Sequence, residues 1–158
     1  MGETKELHGF IYDVNTTKQS ELFTTTTKNI ANFAGQTCKE SKDISVAIED
    51  LEDPTFTLPT KQNTGNSEID TMLLAQEIQI YIKRKSMYRQ NRETIYSVVL
   101  GQSTDAMKAK LESEASFKKI SQDRDLVGLL KLMRDIAFNY ESDRYPCLAV
   151  HLALNSIL

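Results

Sequence analysis

YSVVLGQSTDAMKAKLES (Tyr96–Ser113) decides the fold class. A serine between a glycine and an acid, directly after an apolar run, is either a nucleophile on a strand-to-helix turn or a hinge between two helices. The nucleophile elbow needs glycine two places on each side of the serine, because a strained turn must lift the hydroxyl. Around Ser103 those places hold Gly101 and Asp105, and the only histidines are His8 and His151. The hinge is the better fit. In it Gly101 closes one helix and Ser103 caps the next, with Asp105 in the first turn and Ala106, Met107, Lys110 and Leu111 following.

Helical spacing extends in both directions from this turn. On the N-terminal side, Tyr88, Ile95, Tyr96, Val99 and Leu100 stand at i, i+7, i+8, i+11 and i+12, and Ile69, Met72, Leu73, Ile80 and Tyr81 share a helical period up to about Lys85. Asn66 or Ser67 is the cap, with Glu68 and Asp70 favourably placed against the helix dipole. The pattern leaves open one helix or two with a break before Ser86. On the C-terminal side, the polar ESEASFKKIS precedes the clearest period of all, Leu126, Leu129, Leu130, Met133, Ile136, Ala137 and Tyr140, capped by Ser121 or Asp123. Gly128 inside it fits a close helix crossing. Pro146 opens a last apolar helix, CLAVHLALNSIL. Its end at Leu158, without cap or polar tail, is that of a chain cut from something longer.

The first 67 residues are more polar. LHGFIYDV (Leu7–Val14) predicts a short strand or an extended arm that pins Phe10 and Tyr12 on a core. Leu22, Phe23, Ile30, Phe33 and Ala34 place a helix within Thr16–Gly35, ended by Gly35 in left-handed conformation, although the β-branched run Thr24–Thr27 opposes it. Residues 36–67 turn acidic and polar with a short apolar set, Ile44, Val46, Ile48 and Leu51. DPTFTLPTKQNTGNS has too little apolar surface to offset ordering entropy. The division is therefore residues 1–35, arm and first helix; 36–67, acidic polar connector; 68–158, helical core. The fold class is mainly α, a bundle of about five to six helices.

Composition excludes several chemistries. Cys38 and Cys147 form no CxxC or Cys/His spacing for zinc, the carboxylates of Glu40–Asp53 lack calcium-loop spacing, and no cofactor or metal is expected. No signal-length or membrane-length apolar run is present, so a reducing, cytoplasmic location and no membrane partner follow. KRKSMYRQNR places Lys83, Arg84, Lys85, Arg89 and Arg92 in a belt without an acid, with Tyr81 and Tyr88 interleaved. Such a belt is either a solvated face or a weak, sequence-independent nucleic-acid contact.

Tyr96, Leu100, Gly101, Gln102, Ser103, Met107, Lys110 and Leu111 resemble a segment of the Gag polyproteins of copia-type LTR retrotransposons of diatom and microbial-eukaryote type: aromatic, apolar stretch, Gly-Gln-Cys or Gly-Gln-Ser, then Lys-Leu. HGFIYD resembles the family's opening, YIKRKSMYRQNRETIYS its charged helix, and DLVGLLKLMRDIAFNYES with RYPCLAVHLAL its later helices. The resemblance implies a capsid-like, non-enzymatic protein that self-associates into particles around the element's RNA and takes no small-molecule substrate. The CCHC zinc knuckle is absent, and Gly-Gln-Ser stands for the commoner Gly-Gln-Cys. The alternative is a host helical adaptor that holds a partner helix between its last two helices.

Overall fold

The arm and the Gly-Gln-Ser turn, 90 or more residues apart, are tied together by hydrogen bonds beside the helical bundle. The computed structural model describes residues 2–144. Six α-helices follow in order: α1 (Gln19–Thr37), α2 (Lys42–Asp50), α3 (Ser67–Gly101), α4 (Asp105–Ser113), α5 (Phe117–Asp123) and α6 (Leu126–Arg144). A 3-10 turn, Lys5–Leu7, precedes them. The architecture is mainly α, and the described residues contain no strand beyond one isolated bridge between Tyr12 and Ser103.

α1 is central, packing on α2, α3, α6 and the 3-10 turn. Its threonine run does not break it. Thr26 and Thr27 are buried, Thr26 Oγ1 donates to the carbonyl of Ile11 (2.8 Å), and Thr27 Oγ1 hydrogen-bonds the Tyr12 hydroxyl (2.9 Å). Tertiary bonds and burial outweigh a few tenths of a kcal/mol of propensity per residue. Gly35 does not end the helix: α1 runs two residues further, Gly35 has no left-handed φ, and a Cβ there would meet Ser45 Oγ of α2 at 3.3 Å. α2 lies inside the stretch that composition marks as connector. Ile44, Ala47 and Ile48 stand at i, i+3 and i+4 and are fully buried against α1, each large side chain contributing about 1.5–3 kcal/mol. Residues 53–63 have no regular secondary structure.

α3 is one unbroken helix of 35 residues, about 52 Å long. Asn66 is its cap, Oδ1 accepting from the amides of Glu68 and Ile69. Its second half enters the core through Tyr88, Ile95, Tyr96 and Val99, while its first half projects. α5 arises inside the polar ESEASFKKIS and packs on α6. The cap of α6 is Asp125, whose Oδ1 accepts from the Gly128 amide (3.0 Å), and not Ser121 or Asp123. That carboxylate occupies the space a Cβ on Gly128 would fill, so this glycine accommodates the folded-back cap and not a helix crossing. The helix expected from Pro146 to Leu158 lies outside the described residues.

Candidate functional site

Gln102 is wholly buried and faces the arm. Its Nε2 donates to the carbonyls of Leu7 (2.9 Å) and Phe10 (2.7 Å), and its Oε1 accepts from the Thr4 amide (2.7 Å). The backbone completes the knot. The Tyr12 amide donates to the Gln102 carbonyl (2.8 Å) and the Thr104 amide to the Tyr12 carbonyl (3.0 Å). An irregular arm buried without such partners would leave costly unpaired amides and carbonyls. Gly101 is the last residue of α3 but not a left-handed cap. It is a glycine because the Gly2 carbonyl lies where its Cβ would be.

Ser103 is not the cap of α4. Its buried hydroxyl donates backwards to the Val99 carbonyl (2.8 Å), which leaves no free nucleophile. The cap is Thr104, whose Oγ1 accepts from the Met107 amide (3.2 Å) and donates to Asp13 Oδ1 (2.7 Å). Of the remaining motif residues, Tyr96 and Leu111 are core, and Lys110 is a surface cation paired with Glu114 (3.1 Å). The motif Tyr96, Gly101, Gln102, Ser103, Lys110 and Leu111 is therefore architecture apart from Lys110.

The basic belt separates by helix face. Lys83 pairs with Glu40 (3.0 Å), and Arg84 makes a two-pronged bond to Asp43 (2.7 and 2.6 Å) while its guanidinium stacks over Phe56. Two cations thus satisfy the chain's own acidic stretch, so Glu40 and Asp43 are not loose solvated carboxylates. Lys85, Arg89 and Arg92, at i, i+4 and i+7, form no ion pair among the described residues. They line a cavity of about 660 Å3 with Asp53, Phe56, Tyr81 and Tyr88.

The stretch 53–64 lies antiparallel along α3 as a strap. The Tyr88 hydroxyl donates to Asp53 Oδ1 (2.5 Å), Gln62 Nε2 donates to Glu77 Oε1 (3.1 Å), and Thr64 bonds the buried Asp70 carboxylate through amide and hydroxyl. Burial first, and then the bond to Asp53, push the Tyr88 phenol far above its ordinary range. The strap covers one side of the projecting half. The rest exposes Ile69, Met72, Ile80 and Ile82, at 48, 65, 66 and 58 %. Ile69, Leu73, Gln76, Ile80, Lys83 and Met87 recur in alternating steps of four and three, the spacing of a two-helix seam.

His8 is exposed beside Glu3, 3.4 Å away, and Cys38 is half-buried. His151, Cys147 and much of the adaptor groove fall outside the described residues. No group of three or more His, Cys, Asp or Glu among the described residues could hold a metal, and no helix there is long and apolar enough to cross a membrane. Comparison of the chain with family models, with curated proteins and with solved structures gave no match.

Proposed function

We propose that this chain is a non-enzymatic structural protein that self-associates, as the Gag resemblance implies, with the projecting half of α3 as the contact and a second copy as its occupant. The observation that carries this is the seam Ile69, Leu73, Gln76, Ile80, Lys83 and Met87 where the helix leaves the core: Ile69 and Ile80 are exposed, with exposed Met72 beside them, and Leu73 and Met87 are half-buried. Exposed apolar surface of this extent on a soluble helix marks an interaction site.

Charge gives the orientation. The N-terminal part of the projecting half is acidic, with exposed Glu68 and half-buried Glu77, and the part beyond Ile82 is basic, with Lys83 and Arg84 first. An antiparallel pair sets unlike ends together, whereas a parallel pair sets like against like. The seam is also symmetric about residue 78: Ile69 faces Met87, Leu73 faces the aliphatic stem of Lys83, and Gln76 faces Ile80. The mutual bonding of the arm and the Gly-Gln turn supports the same family reading, since its two motifs form one junction. Assembly into particles around RNA is the larger role that the resemblance adds.

Sedimentation velocity over a hundredfold concentration range tests the contact. The native chain should shift to a dimer or larger species as concentration rises. Ile80→Glu, a change at an exposed position, should leave circular dichroism unchanged and hold the chain monomeric at least tenfold higher in concentration. A native chain that stays monomeric throughout would exclude this function.

A further inference from the structure

We infer that the cavity between the strap and α3 is a binding site for a nucleoside phosphate, either free or as one unit of a single strand. Three observations converge on it. Lys85, Arg89 and Arg92 line it without ion-pair partners among the described residues, although Lys83 and Arg84 of the same belt are both paired. Arg92 Nε is buried and has no hydrogen-bond partner. A buried guanidinium N–H left unbonded costs free energy, which an anionic oxygen would recover once the half-buried Arg92 side chain turns that N–H toward the cavity. The lining carboxylate, Asp53, is engaged by the Tyr88 hydroxyl, so three cations stand against one acid.

The walls select the rest of the ligand. Phe56 and Tyr81 each carry a cation on one face, Arg84 and Lys85 respectively, and the remaining surface of these two rings edges the cavity, with buried Tyr88 5.7 Å from Phe56 and tilted at 51°. Arginine forks match phosphate oxygens in two-pronged geometry, and aromatic rings take a base by stacking. A cavity of about 660 Å3 falls within the range of small-ligand sites. Inorganic phosphate would use the cations and leave the rings idle; an apolar ligand would do the reverse. A nucleotide uses both.

The site does not require the pairing of α3, so it is tested on the native chain and on Ile80→Glu in parallel. Isothermal titration uses adenosine 5′-monophosphate, inorganic phosphate and a ten-nucleotide single-stranded oligoribonucleotide. The expected result is saturable binding of the monophosphate at least tenfold tighter than phosphate, in both backgrounds. Arg89→Ala and Lys85→Ala should each weaken it about tenfold, and Lys83→Ala, on the other face, by less than twofold. Tighter binding of the oligonucleotide at one site per chain would identify the strand as the source; no gain over the monophosphate would identify a free nucleotide. Absence of saturable binding by both, equal affinity for phosphate, or an equal loss in Lys83→Ala would overturn the site.

Discussion

Gln102 holds two backbone carbonyls and one amide of the arm with a single side-chain amide, and no other residue among those described makes as many long-range bonds. Gln102→Leu should cost about 2–4 kcal/mol in urea denaturation, because the groups it served lose their partners in a buried place. Amide exchange should rise over residues 4–12. Ser103→Ala should cost about 1–3 kcal/mol, since the Val99 carbonyl in the last turn of α3 loses the buried hydroxyl that bonds it, the Ser103 amide itself going to Leu100. The importance of this turn was legible in the sequence; its mechanism was not. Serine and threonine both cap helices, so a one-residue shift from Ser103 to Thr104 leaves no trace in composition. The partners of Gln102 are more than 90 residues away along the chain. Tyr12 gives a pH test. Burial raises its phenol well above the ordinary 10.0, so the unfolded chain loses that proton first. Stability is full below about pH 10 and falls above it, by up to about 1.4 kcal/mol per pH unit for each such tyrosine. Tyr12→Phe should flatten that alkaline fall in the urea midpoint.

Among elements, α3 shows how far periodicity reaches. The period ran through Ser86 without glycine or proline, and the continuous helix is the simpler outcome of that pattern. α2 is hidden by its acidic and polar surroundings in residues 36–67, although Ile44, Ala47 and Ile48 carry the helical step. Gly35 misled for a related reason: glycine marks a left-handed turn or a close approach, and only the position of α2 distinguishes them. The projecting half of α3 depends on its cap and strap more than on the core. Asn66→Ala should therefore cost about 1 kcal/mol locally, seen as faster amide exchange over the first turns of α3 with little change in exchange of Ile95 or Val99. The belt could not be divided from sequence, because which cations meet Glu40 and Asp43 depends on where α2 docks.

For the whole molecule, the fold separates a closed bundle from a bare helical arm. In the bundle Gln19, Gln102 and Thr27 bond buried polar groups, whereas the buried Tyr96 hydroxyl has no partner; Gln19 alone spans from Asn15 to the carbonyls of Ile136 and Ala137. The arm carries apolar side chains that nothing among the described residues covers, together with opposite charge at its two ends. Antiparallel pairing through that arm is the central claim, and intermolecular spin-label distances test it most directly. With Cys38 and Cys147 replaced by alanine, single labels at exposed Thr71 and Glu93 report on the pair. Symmetry about residue 78 predicts axial offsets of about 21 Å between the two Thr71 labels and about 45 Å between the two Glu93 labels. Similar short separations of about 10 Å at both positions, as a parallel pair gives, or no intermolecular distance at all, would contradict it.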